Sequence, residues 1–290
     1  MNIPFPDLTP ATPEIIMSVA ATLLLIIELI FREKGVLALV GIAVAAATLY
    51  VIPASYGETF GGMFISDDYS AYFKVIFIIN LVLTILLSLK YLQRQKAEYG
   101  EYYSLLLFAT TGMMLMASAK DLIVLYLGLE LMALSTYILA GIKRHDIKSN
   151  EAAIKYFLLG AFSSALLLYG VSLLYGMTTT TDLYKIAEHI KQSGTSTTLL
   201  LSMILILAAF SFKIAAAPFH MWAPDVYEGA PTSVTAFMSV GPKAAGFAII
   251  GRVFYMTAFQ SMQADWTAIF IGVAILTMAV GNILAIVQTN

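Results

Sequence analysis

Apolar residues run through this chain in long blocks, not in the alternation of a half-buried sheet or the one-sided stripe of a soluble helix. A bilayer core of ~30 Å takes about 20 helical residues to cross. On that ruler the blocks predict nine spans, at roughly 14–31, 35–52, 70–91, 102–118, 121–142, 152–176, 198–221, 231–258 and 266–288. Polar interruptions separate them. The turn Arg32-Glu33-Lys34-Gly35 joins the first two spans, and Glu28 lies four residues before Arg32, placed for a boundary ion pair. The segment 53–69 carries Gly57, Gly61, Gly62, Asp67 and Asp68 and reads as a loop on the polar side. Between spans six and seven, TDLYKIAEHIKQSG sets Leu183, Ile186, Ala187 and Ile190 on one face. Asp182 can cap its start and Gly194 its end, which predicts a short structural helix at the membrane surface.

Composition agrees: 60% of residues are hydrophobic, 12% are charged, and mean hydropathy is +0.85. These are the values of an all-α, polytopic transmembrane helix bundle. The net charge of −2 gives no reason to expect nucleic acid as a partner; the lipid bilayer is the expected one. With no cysteine anywhere, disulfides, iron–sulfur ligation and thiolate zinc sites are excluded. Neither a P-loop nor a dinucleotide-binding glycine pattern occurs, so electrons of any coupled redox reaction must travel on other chains. The start, MNIPFPDLTPATPEI, has no basic residue before the first apolar run, unlike a standard cleavable signal peptide.

Lys and Arg in the loops predict orientation. Arg32, Lys34, Lys90, Arg94, Lys96, Lys143, Arg144 and Lys148 fall on alternate connections. The opposite connections hold Glu58, Asp67, Asp68 and a near-neutral 178–197 loop, with fewer bases at Lys74, Lys120, Lys185 and Lys191. The N-terminus is therefore expected outside, with the loops near residues 33, 96 and 146 in the cytoplasm.

Three charges lie deep inside apolar blocks: Glu130, Lys213 and Lys243. Such a group at the bilayer centre costs roughly 2.5–3.5 kcal/mol on insertion scales, and it marks an ion pathway by default. Glu130 sits nine residues past Asp121 and thirteen before Lys143, close to mid-membrane. Its structural alternative is a carboxylate hydrogen-bonded for helix packing. Five residues after Lys213, Pro218 cannot donate to the carbonyl of Ile214 and clashes with it, so a broken helix is expected there. Pro242 precedes Lys243 and frees the carbonyl of Met238, which predicts a second break. Interrupted spans are a pointer to transport sites. Lys155 lies one turn inside span six, four residues after Glu151, and a boundary ion pair or a relay role both fit it. His220 follows Lys213 by seven residues; proton passing and a hydrogen-bonded structural role are both open. His145 and His189 are loop residues with no assigned role.

Several stretches resemble a known family: DLIVLYLGLELMALSTYILAGI, SNEAAIKYFLLGAFSSALLLYGVSLLYG, SFKIAAAPFHMWAPDVYEGAPTSVTAFMSVGPKAAGF and the N-terminal TPEIIMSVAATLLLIIELIF. They are similar to the antiporter-like membrane subunits of bacterial respiratory complex I, the proton-pumping NADH:quinone oxidoreductase, and among them to subunit N. The resemblance covers essentially all 290 residues. It implies proton translocation coupled to quinone reduction elsewhere, with a multisubunit sodium/proton antiporter subunit as the alternative. By position, Glu130 matches the family's fifth-helix glutamate, Lys213 the broken-helix lysine paired with it, and Lys243 the central lysine of the eighth helix. Lys155 matches an additional sixth-helix lysine, and His220 lies on the polar axis. The family picture has protons hopping between lysines through water. It further implies neighbouring membrane-arm subunits M, K, J and A, a bacterial inner membrane location, and no cofactor on this chain. NADH, FMN, iron–sulfur clusters and quinone are expected in partner subunits. Residues 14–92 would be three N-terminal helices and 102–258 the first of two inverted five-helix repeats. Residues 266–288 would open a second repeat that this sequence lacks.

Overall fold

The computed structural model describes residues 6–30, 34–94 and 99–287. Arg32, Glu33 and Lys96 of the expected basic connections lie outside the described residues. Helices α1 (Thr12–Ile30), α2 (Lys34–Val51) and α3 (Asp68–Arg94) come first, followed by α4 (Glu101–Ser118), α5 (Leu122–Ala140) and α6 (Ile147–Thr178). The chain continues through α7 (Leu183–Ser193), α8 (Thr197–Lys213), α9 (Trp222–Gly229) and α10 (Thr232–Ile250) to α11 (Gln263–Val287). Among the described residues, seven helical stretches are long and apolar enough to cross a membrane. The two remaining expected spans correspond to α4 and α8. Both pack alongside the seven, α4 against α1, α3, α5 and α10, and α8 against α6 and α10. Span seven ends earlier than expected because the chain leaves the helix directly after Lys213.

Polar side chains define the helix ends. Asp121, Asp146, Asp182 and Ser196 each accept a hydrogen bond from a backbone N–H in the first turn of α5, α6, α7 and α8. The surface helix forms where it was expected, with Leu183, Ile186 and Ile190 buried and Gly194 closing it at φ 74°. The 53–69 segment is more ordered than a plain loop. Strands β1 (Gly57–Thr59) and β2 (Phe64–Ser66) pair antiparallel, with Gly57, Phe60, Gly61 and Gly62 at positive φ around the turn. This hairpin meets the α4–α5 corner through Phe64 opposite Ala119 and the Lys120 N–H on the Met63 carbonyl.

The bundle is tightest where α4 meets α5. A Cβ at Gly112 would stand 2.5 Å from the Met132 backbone nitrogen, so only glycine lets these backbones approach. The hairpin, Lys120 and the start of α7 gather at one end, joined by the Leu183 N–H on the Lys120 carbonyl. Lys143, Arg144 and Lys148 gather at the other, with Lys143 over the Tyr91 ring and Lys148 bonded to Glu228.

Pro242 does not break its helix. Helix α10 runs through it continuously from Thr232 to Ile250, which corrects the expectation of a second broken helix. The carbonyl that Pro242 leaves free, on Met238, accepts a long hydrogen bond of 3.5 Å from the Tyr227 hydroxyl. The irregular stretch comes later, as a π-helical turn at Gly251–Met256.

Candidate functional site

The break after Lys213 is the centre of the site. Pro218 cannot continue a helix, and the chain turns through residues 214–221 before α9 begins. Ala215 takes φ 58°, and the Ala216 N–H reaches back to the Ser211 carbonyl at 2.9 Å. The Phe212 carbonyl accepts from Trp222 Nε1 at 2.9 Å, and Thr277 Oγ1 on α11 accepts from the Ala217 N–H at 3.0 Å. Irregular backbone at membrane depth needs such partners from within the protein. Lys213 is 4% exposed and points inward, as expected. Its Nζ lies 5.7 Å from the Phe212 ring centre and 6.0 Å from that of Tyr137.

Glu130 is eight residues into α5, about 12 Å along its axis. Its carboxylate accepts a very short hydrogen bond from the Ser164 hydroxyl on α6. Lys213 reaches α5 through the Tyr137 ring, so the structure brings it to the helix that carries Glu130, with α6 supplying the carboxylate's donor. Two turns along α5, Tyr137 buries a hydroxyl without a hydrogen-bond partner among the described residues. It fits because α6 has Gly160 there; a Cβ would meet the hydroxyl oxygen at 1.9 Å.

Lys243 is half-buried on α10, with Nζ 5.6 Å from the Tyr227 ring centre. His220 lies in the broken segment, and its buried Nδ1 has no hydrogen-bond partner among the described residues. Lys155 is set apart from Lys213. Its side chain is 42% exposed and bonds Glu151 at 2.7 Å and Asp225 at 2.5 Å. The i,i+4 pair with Glu151 is therefore present, and Asp225 from α9 adds a second carboxylate. With Lys148 and Glu228 they line a small cleft of about 100 Å³.

Two enclosed ion pairs escaped the sequence reading. Lys74 on α3, fully buried, stands 2.9 Å from Glu14 on α1 and donates to Ser66 on β2 at 3.2 Å. Arg252 in the π-helical turn grips Asp67 with two hydrogen bonds of 2.9 and 2.8 Å, and also donates to the Ala117 carbonyl at 2.7 Å. Burial by itself would raise the Asp67 carboxyl. The guanidinium hydrogen bonds and charge outweigh it and hold Asp67 below its usual 3.8. The available signal was weak: Glu14 and Asp67 border apolar blocks, where a charge reads as a boundary residue. No group of three or more His, Asp or Glu placed to hold a metal ion occurs among the described residues.

The family model described as NADH:quinone oxidoreductase/Mrp antiporter, TM, matches residues 119–290. The chain is 48% identical over 291 residues to NADH-quinone oxidoreductase subunit N of Trichlorobacter lovleyi, covering 98% of this chain and 60% of that protein. It is also 48% identical over 285 residues to NADH-quinone oxidoreductase subunit N 2 of Rhizobium meliloti, covering 97% and 59%. The chain thus spans about three fifths of the length of these curated relatives. Among solved structures it matches a chain of respiratory complex I from Thermus thermophilus at 31% identity and a TM-score of 0.78, over 95% of this chain and 58% of that one. A chain of the Mrp complex from Dietzia sp. DQ12-45-1b shares the fold, with a TM-score of 0.80 at 21% identity, over 97% and 55%. On the match over residues 119–290, the chain belongs to the family of membrane subunits shared by NADH:quinone oxidoreductases and Mrp antiporters.

Proposed function

We propose that this chain moves protons across the membrane as a membrane-arm subunit of an NADH:quinone oxidoreductase, a translocase, coupled to quinone reduction carried out by other subunits. One observation carries the reading: a lysine buried at the end of a broken helix, its ammonium facing the Tyr137 ring on α5, the helix that also carries Glu130. A buried ammonium beside unwound backbone is the arrangement expected of an ion pathway. In this reading Glu130 controls the charge of Lys213, and Lys243 receives the proton. Lys155 stands at the cytoplasmic mouth, and His220 lies on the same polar axis. Residues 14–92 act as three N-terminal helices and 102–258 as a five-helix unit, with 266–288 opening a second one. The basic connections face the cytoplasm of a bacterial cell, the N-terminus faces outward, and the membrane is the inner one. Partner subunits of types M, K, J and A complete the arm, and NADH, FMN, iron–sulfur clusters and quinone reside in other subunits.

A sodium/proton antiporter subunit is the second reading, supported by the shared fold with the Mrp complex chain. The 48% identity to subunits named N favours the first. The test is Glu130→Gln in the full-length subunit within the assembled complex. The variant keeps the shape and the Ser164 contact but removes the charge that acts on Lys213. Proton uptake into vesicles per quinone reduced should fall strongly, with assembly unchanged. Wild-type pumping by the assembled variant would refute the pairing, and sodium-dependent transport would favour the antiporter.

A further inference from the structure

Between Lys213 and Lys243 runs an unbroken row of aromatic rings. It begins at Tyr137 on α5, whose ring centre is 6.0 Å from Lys213 Nζ. Tyr156 on α6 follows at 4.6 Å, edge to face. Trp222 at the start of α9 stacks on Tyr156 at 4.5 Å with the planes 8° apart. Tyr227, one turn along α9, meets Trp222 at 5.8 Å, and the Tyr227 ring centre lies 5.6 Å from Lys243 Nζ. Tyr137, Tyr156 and Trp222 are buried.

Packing alone would explain a cluster of rings, but three features go beyond it. Each end of the row meets an ammonium within the reach of a cation–π contact. The row is also tied to backbone beside the break: Trp222 Nε1 donates to the carbonyl of Phe212, the residue before Lys213. Finally, α6 has a glycine where any larger residue would push Tyr137 out of line.

We propose that Tyr137, Tyr156, Trp222 and Tyr227 are positioning residues that couple the broken segment next to Lys213 to Lys243. The row transmits a shift of that segment to the second lysine. Aromatic side chains suit this because two torsions define each one and the stacked rings are stiff. Two discrete arrangements of such a packed chain can carry coupling between sites. The inference rests on the reading of both lysines as proton carriers.

The experiment uses the full-length subunit in the assembled complex in vesicles, recording proton uptake per quinone reduced, quinone reductase rate and complex yield. Trp222→Leu and Tyr227→Leu remove a ring from the row. Tyr227→Phe keeps the ring and removes the hydroxyl. Of the uptake that Lys213→Met abolishes, Tyr227→Leu should lose about fivefold, the scale of the one cation–π contact it removes, and Trp222→Leu should lose uptake as well. Tyr227→Phe should retain most of it, with yield and reductase rate unchanged. Wild-type uptake in assembled Tyr227→Leu overturns the proposal, as does an equal loss in Tyr227→Phe, which would assign the effect to the hydroxyl. A fall in uptake only in step with yield makes the row packing alone and overturns it too. Should Trp222→Leu not assemble, the Tyr227 pair decides. If Lys213→Met and Lys243→Met pump normally, the proton-carrier reading itself fails, a result distinct from failure of the row.

Discussion

The pair of Glu14 and Lys74 offers the sharpest test of how this bundle is held together. It joins α1 to α3, with the hairpin serine Ser66 as a third member. The two side chains are 4% and 0% exposed, so both charges have left water entirely. Breaking a buried pair from one side strands the other charge, at a cost of about 3–5 kcal/mol. Lys74 keeps the Ser66 bond and lies 5.3 Å from the Phe64 ring centre, so Glu14→Gln should fall near ~3 kcal/mol. Lys74→Met should cost more, near ~5 kcal/mol, because it leaves a buried carboxylate without its ion-pair partner. Removing both charges in Glu14→Gln/Lys74→Met should return the protein to within about 1–2 kcal/mol of the original. Thermal unfolding of the full-length protein in detergent measures this, each single loss appearing as a lowered midpoint. Additive losses in the double variant, or single losses below about 1 kcal/mol, would show that the pair is not an interdependent buried unit.

Other outcomes follow from the same geometry. Arg252 holds the Asp67 carboxyl below its usual value, so the stability it contributes is complete above the unfolded value of 3.8 and is lost as pH falls through the lower folded value. Asp67→Asn should flatten the acid limb of a melting series taken from about pH 6 to about pH 3; an unchanged limb refutes this. Gly112→Val should lower stability by more than about 3 kcal/mol, because its Cβ would meet backbone of α5 at 2.5 Å and neither helix can yield; a stable variant in detergent unfolding contradicts that close approach. Lys243→Arg keeps the positive charge but does not release its proton, so uptake in vesicles should fall; undiminished pumping makes Lys243 a fixed charge.

The apolar blocks made the helices legible, because a bilayer demands length and apolarity before anything else. Asp182, Gly194 and Pro218 were legible for the same local reason: each acts on its own few residues of backbone. Glu14 with Lys74 and Asp67 with Arg252 were not, since the partners lie far apart in sequence and each member alone looks like a charge near a span end. Nor was the aromatic row, because Tyr156 in an apolar block and Trp222 just past one read the same whether they face lipid or each other. The hairpin at 57–66 was hidden behind glycines that suit any polar-side loop equally well.

Pro218 and Pro242 carry the same chemical defect, a missing N–H, yet only one ends a helix. At Pro242 the neighbours hold the helical path. Asn80 Nδ2 on α3 donates to the Phe237 carbonyl at 3.2 Å, and the Tyr227 hydroxyl reaches that of Met238. Gly241 packs so closely on Asn80 and Met113 that the helix has no room to swing. At Pro218 three alanines precede the ring, and the stabilising partners, Trp222 Nε1 and Thr277 Oγ1, bond the backbone in its unwound form. A proline therefore specifies that backbone partners must be found elsewhere, while the surrounding side chains decide whether the helix bends, continues or stops. Helix α9 supplies one of those partners at each proline, Trp222 at the break and Tyr227 at the continuous helix. That double role links the geometry around Lys213 to the geometry around Lys243 through a single eight-residue helix.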